Sequence, residues 1–117
     1  MSEARFTVEN RSDESRYVLL DGEAEPGAAE VGEESYRDYE ADGVEQRIMY
    51  HTGVSEQYGG MGLASVLVKG AVEDAIAAGR KIVPVCPYVA AWLPKHPEYA
   101  AHVAEKTAEH IAVLRAM

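Results

Sequence analysis

The sequence predicts an α+β fold, with a mostly antiparallel sheet, one central helix and C-terminal helices, in a single domain over residues 1–117. Three observations predict it. Short segments of alternating polar and apolar residues, joined by polar turns, fill the first half of the chain. A glycine-dense loop with Gly59, Gly60 and Gly62 then connects the apolar run Ile48, Met49, Tyr50 to a long helical pattern opening near Leu63. Prolines 84, 87, 94 and 97 divide the C-terminal third of the chain into short pieces. With 117 residues, 47% of them hydrophobic, the chain can bury one modest core and is too short for two.

Phe6, Val8 and Asn10 alternate with Thr7, Glu9 and Arg11, the period of a half-buried strand, and residues 17–20 form a second strand stopped by Asp21 and Gly22. Only residues 12–16 separate them, so the connection is a hairpin with no room for a helix. Residues 24–34 are rich in Glu, Ala, Pro and Gly, with Pro26-Gly27 as a turn; a strand near residues 28–31 is expected to resume, after a break, over residues 35–40. Asp42-Gly43 reads as the turn of a hairpin into a strand over residues 45–52, with Ile48, Tyr50 and Thr52 on one face and Met49 and His51 on the other.

From Leu63 to Ala78 the apolar positions Leu63, Val66, Leu67, Ala71, Ala75 and Ala78 keep helical spacing, and Gly79 ends the helix. Residues 81–85 read as a buried strand, in which Pro84, lacking an N–H, requires an edge or a local parting of strands. Residues 88–93 predict a short helix broken by Pro94, and Pro97 suits the first turn of a final helix carrying Tyr99, Val103, Ile111 and Leu114 on its drier side.

Glycines at 59, 60 and 62 permit positive φ and let a ligand approach main-chain N–H groups at a helix start, where unpaired donors and the helix dipole favour a phosphate or pyrophosphate. A plain flexible connection would look the same. The spacing fits neither GxGxxG nor GxxxxGK[ST], which counts against Rossmann and P-loop readings. Gln57, Gly60 and Gly62 do match QxxGxG, a pyrophosphate signature of the Gcn5-related N-acetyltransferase (GNAT) superfamily. The stretches His51-Thr52-Gly53-Val54, Gly60-Met61-Gly62-Leu63-Ala64, Val83-Pro84-Val85-Cys86-Pro87-Tyr88 and His96-Pro97-Glu98-Tyr99 resemble its short single-domain branch. The likeness runs over residues 6–99 and is loosest at the N-terminal end.

That resemblance implies acetyl-CoA as cofactor, held by Thr52, Val54, Gln57, Tyr58, Gly59, Gly60, Met61, Gly62, Leu63, Ala64, Pro87 and Tyr88, and an amine as acceptor. It implies that the strands flanking the central helix splay, the pantetheine arm lying in the gap as an added strand would. The superfamily's usual helices between the first two strands, which wall the acceptor side, are lacking here. An open acceptor side suits an amine on a peptide or protein, and Glu33, Glu34, Asp38, Glu40, Asp42 and Glu45 around the hairpin would attract such a cation, although a solvated hairpin would look the same.

Amine attack on a thioester needs a proton acceptor, an oxyanion donor and a group to stabilise the leaving thiolate. His51, Cys86, Tyr88 and Glu56 are the candidates for proton work, and the amide of Val54 or Val85 for the oxyanion. Cys86 and His51 are taken as catalytic. Cys86 is a general acid or a nucleophile forming acetyl-cysteine, or else a buried core residue; His51 is a base, or a strand histidine with one structural hydrogen bond. Tyr88, Trp92 and Tyr99 line the pantetheine channel or belong to the core.

Composition narrows the partners. A formal charge of −9, from twenty acidic and eleven basic side chains, leaves no basic stripe for nucleic acid. One cysteine and four scattered histidines give no metal-ligand spacing, so no metal is expected. Residues 1–5 lead into no apolar segment and no uncharged run spans a bilayer, so a cytoplasmic protein with no membrane partner is expected. Two rivals to an acetyltransferase remain at this level: a CoA or acyl-CoA binding module without turnover, and an interaction domain that uses the fold without a ligand.

Overall fold

A computed structural model of the chain describes residues 5–23 and 29–117. The expected turn at Pro26-Gly27 lies outside them. Five strands form one sheet in chain order: β1 (Phe6–Arg11), β2 (Arg16–Asp21), β3 (Ala29–Ala41), β4 (Val44–Val54) and β5 (Lys81–Pro84). The first three pairings are antiparallel, and β5 runs parallel to β4 because helix α1 (Leu63–Ala77) carries the chain back between them. A single 3₁₀ turn, Ser12–Glu14, joins β1 to β2, so no helix intervenes. Asp42 and Gly43, at φ 52° and 81°, make the tight turn between β3 and β4 that the sequence predicts.

β3 is one continuous strand where a break was expected. Two bulges absorb the irregularity instead: Val31 is skipped between the pairs Leu19↔Gly32 and Leu20↔Glu30, and Tyr50 between Ser35↔His51 and Tyr36↔Met49. The second bulge overturns the predicted faces of β4. Glu34 and Tyr36 share a face of β3, so their partners Thr52 and Met49 share it too, on the α1 side where Met49 and Tyr36 enter the core. His51 turns to the other face, with Ile48. An extra residue reverses the alternation beyond it, and a period-two reading cannot see that.

α1 buries Leu63, Leu67, Ala71 and Ala75 with Val68 and Val72 against Tyr17, Leu19 and Met49. Val66, expected in that stripe, is exposed, as is Ala78, because the contact follows i, i+4 ridges. At Gly70 a Cβ would lie 2.8 Å from the Val8 side chain, so glycine sets how closely α1 approaches β1. The helix ends in a Schellman motif: Arg80 N–H donates to Ala75 C=O and Gly79 N–H to Ile76 C=O, with Gly79 at φ 77°.

After β5 come α2 (Pro87–Trp92) and 3₁₀ turns at Leu93–Lys95 and Pro97–His102. The single final helix expected from Pro97 does not form. Val103 bridges Ile82, and Ala104 N–H donates to the Ile82 carbonyl at 2.8 Å, which holds this segment extended along the outer edge of β5. Helix α3 (Ala108–Arg115) begins afterwards, capped by Thr107. It docks on the sheet face opposite α1 through buried His110, whose Nε2 lies 2.7 Å from Gln46 Oε1. Among the described residues no helix is long and apolar enough to cross a membrane.

Candidate active site

β4 ends at Val54, and the 3₁₀ turn Glu56–Tyr58 delivers the chain to the glycines. Gly60 and Gly62 have φ 82° and 71°, which a side chain would strain, while the space beside them is open. Gly62 is the N-cap of α1 and no side chain caps the first turn, so its initial amides face outward, with Met61 exposed beside them. Gln57, Gly59, Gly60, Met61 and Gly62 are all exposed, and Leu63 is buried at the root of the loop.

Tyr58 has a second task. Its ring meets Phe6 edge-on, and its hydroxyl donates to Asp21 Oδ2 at 2.7 Å. Arg5 grips the same carboxylate with Nε at 2.9 Å and Nη2 at 3.1 Å. Hydrogen bonds from Arg5 and then Tyr58 hold Asp21 well below the usual carboxylate range. The loop is thereby tied to β1 and β2.

β5 pairs with β4 only from Gln46↔Lys81 to Met49↔Pro84. The amides of Val85 and Cys86 then converge on one acceptor, the Met49 carbonyl, at 3.1 and 2.9 Å. Beyond it the strands part, and Tyr50 to Val54 have no β5 partner. The Val85 amide, one of the two expected oxyanion donors, is therefore already engaged.

Cys86 lies at the parting, 5% exposed, with Sγ 3.2 Å from Thr52 Oγ1. Thr52 donates in turn to Glu34 Oε1. Glu34 is fully buried, and its Oε2 has no hydrogen-bond partner. Burial pushes its carboxyl up to about 8, against the opposing pull of Thr52 and the His51 amide. Sequence reasoning counted Glu34 with surface acids. Its phase with Tyr36 on an unbroken β3 was the signal that it points inward.

His51 is exposed on the other face, its Nε2 3.3 Å from where a Gly53 Cβ would stand. The structure thus sets His51 and Cys86 on opposite faces of the parted sheet. Beside Gly53 lies a shallow hollow of about 270 Å³, lined by Glu30, Gly32, Glu33, Val54 and Ser55. A larger cleft of about 570 Å³, lined by Pro84, Ala90, Leu93 and Val103, has few polar groups and none of the candidate catalytic side chains.

Pro87 opens α2 and Tyr88 is exposed on its first turn. Trp92 donates to Ser65 Oγ at 2.9 Å and stacks on His96, while Tyr99 donates to Glu73 at 2.8 Å. Those bonds tie α2 and the following turns to α1. Three of the six acids read as an attracting cluster are ion-paired: Asp38 with Arg47 at 2.7 Å and Arg80 at 3.5 Å, Glu45 with Arg80 at 3.3 Å, Glu33 with Arg16 at 3.2 Å.

A sheet parted after its fourth strand, with a glycine loop feeding the helix between the parted strands, defines the acetyltransferase class of α+β folds. Residues 16–103 match the sequence model of the GCN5-related N-acetyl-transferases, and the chain belongs to that family. The solution structure of a GCN5-like candidate N-acetyltransferase from Staphylococcus aureus superposes with a TM-score of 0.59 at 25% identity, over 92% of this chain and 97% of that one. An aminoglycoside acetyltransferase from an uncultured soil metagenomic sample, in complex with sisomicin, aligns with a TM-score of 0.49 at 14% identity, over 80% of this chain and 62% of that one. No curated protein sequence gives a significant match.

Proposed function

We propose that this N-acetyltransferase takes its acetyl group from acetyl-CoA and gives it to an amine presented by a peptide or protein. The observation that carries the reading is the uncapped N-terminus of α1, under Gly60 and Gly62, opening beside the gap in which Cys86 lies. The pyrophosphate would rest on the amides of residues 58–64 and the pantetheine arm along the free edge of β4 from Thr52 to Val54, with Pro87 and Tyr88 on its far side. With the Val85 amide engaged, Val54 is left to hold the oxyanion.

Cys86 meets the thioester from the α1 side, and His51 takes the amine proton from the other. The hollow beside Gly53 supports the acceptor class: it is shallow, and no helix between β1 and β2 walls it. Small-molecule selectivity needs a concave site that buries most of the ligand. An amine projecting from a larger partner needs only reach.

Titration calorimetry with acetyl-CoA and with free CoA tests the cofactor, and an acetyl-transfer screen of lysine-rich peptides against polyamines, aminoglycosides and amino acids tests the acceptor. Binding of both ligands with no turnover of any amine would instead make the chain a CoA-binding module. Selective turnover of one small amine would overturn the peptide reading.

A further inference from the structure

We infer that Glu34 is a positioning residue that takes and returns the proton of Cys86 through the hydroxyl of Thr52. The inference rests on the acetyl-transfer reading and deepens it. Thr52 Oγ1 has one proton and donates it to Glu34 Oε1, so at the 3.2 Å contact with Cys86 it accepts, and the thiol proton points toward Thr52. The order is Cys86 S–H to Thr52 O–H to the carboxylate. A carboxyl group with one oxygen unpaired in a dry interior is costly to keep, and nothing in the packing of β2, β3 and β4 requires it.

The surroundings isolate this chain of groups. Tyr17, opposite Glu34 on β2, is engaged with Asp74 and Arg47. Glu33 adds a like charge that raises Glu34 further, and His51 contributes its amide. The residues that α1 buries against the sheet and those that α2 buries, Val89 and Trp92, have no acid or base among them. A carboxyl pushed up to about 8 takes and releases a proton near neutrality.

If Cys86 is the nucleophile, Glu34 starts ionised, and the thiol proton passes to Thr52 as Thr52 passes its own to Glu34. The thiolate bonds to the acetyl carbon and the bond to CoA sulfur breaks. When the amine nitrogen displaces Cys86 from that carbon, the thiolate recovers its proton from Glu34 by the reverse path. The amine proton leaves by His51 to the CoA thiolate. If Cys86 is the general acid, Glu34 starts protonated: Cys86 gives its proton to the departing CoA thiolate, Glu34 replaces it through Thr52, His51 releases the amine proton to water, and Glu34 regains a proton from water once product leaves.

Thiolate absorbance against pH, in the protein without cofactor, tests the relay directly. Each variant is corrected by its Cys86→Ser counterpart to remove the tyrosines. The wild-type absorbance should rise in two coupled steps, because the thiol and the Glu34 carboxyl share the Thr52 hydroxyl. Glu34→Gln and Thr52→Val should each reduce this to one step, and Thr52→Ser should restore two. A wild-type curve that superimposes on Glu34→Gln overturns the inference, as does coupling that survives in Thr52→Val. Should Glu34→Gln fail to fold, the Thr52 pair decides alone. No cofactor is needed, so a protein that failed to bind acetyl-CoA would still answer.

Discussion

The two halves of β4 obey different rules. From Gln46 to Met49 the strand is flanked by β3 and β5, and its polar side chains are used up: Gln46 holds His110 across one face, and Arg47 binds Asp38 and the Tyr17 hydroxyl on the other. From Tyr50 to Val54 it has β3 alone, and there a carboxylate oxygen lacks a partner, a thiol meets a threonine, and a histidine stands in solvent. Two local defects at one level make the boundary. Pro84 cannot donate beyond its pair with Met49, and the bulge at Tyr50 turns the alternation over. Where the sheet closes, polar groups stabilise; where it opens, they are left free for chemistry.

Changes to the open half should cost function and spare stability. The largest effect is expected from Gly60→Glu, which puts bulk and negative charge at the proposed pyrophosphate seat. Acetyl-CoA affinity should fall at least about 100-fold, while the melting temperature falls only by the strain of a side chain at φ 82°, since the space beside Gly60 is empty. Unchanged affinity in calorimetry would remove the loop from the site. Next, Cys86→Ala should lower turnover about 100-fold with acetyl-CoA affinity retained, and intact-mass spectra after incubation with acetyl-CoA should show an adduct that Cys86→Ser lacks. Full turnover by a folded Cys86→Ala protein would end both chemical roles of the thiol.

The closed half should respond the other way. Arg47 is 5% exposed, between Asp38, Tyr17 and the Tyr36 ring, so Arg47→Met should cost about 3 kcal/mol. Cofactor affinity should survive, and a loss of acetyl-CoA binding out of proportion to the loss of stability would blur the boundary at Met49.

How far the site was legible depends on the same boundary between local and long-range causes. The glycine loop, the start and end of α1, the Asp42-Gly43 turn and the helix-free first hairpin are written in neighbouring residues, and each formed where it was expected. The faces of Thr52 and His51 depend on which β3 residue is skipped opposite, a matter of register between distant segments. The final helix starts at Ala108 instead of Pro97 because Val103 pairs with Ile82, a contact that local propensity does not encode. Glu34 was misplaced because a break assumed in β3 hid its phase, and the acidic hairpin because Arg16, Arg47 and Arg80 reach it from elsewhere in the chain.

Glu34 belongs to the open half and yet should affect stability through pH. Its carboxyl is raised from 4.5 to about 8, so between those values the native state holds a proton that the unfolded chain has released. Stability contributed by that group therefore falls as pH rises through the window, by up to about 1.4 kcal/mol per pH unit. Glu34→Gln should flatten this fall in denaturant titrations across neutral pH and leave the variant the more stable at the alkaline end. A wild-type curve already flat there would show that the carboxyl ionises normally.

The smallest effect should come from the tether between the two regimes. Tyr58 sits in the loop that feeds the open half, and its hydroxyl reaches back to an Asp21 already gripped by Arg5. Tyr58→Phe keeps the edge contact with Phe6 and removes only the hydrogen bond, so the sheet should be unaffected while the 3₁₀ turn Glu56–Tyr58 loosens. Because a site whose donors must be ordered before binding loses affinity by the cost of ordering them, acetyl-CoA should bind a few-fold more weakly. Amide exchange separates this from general destabilisation. Faster exchange confined to residues 56–62, with the amides of Gln46 to Met49 unchanged, is the expected pattern; acceleration spread evenly through β4 would mean that the two halves share one stability after all.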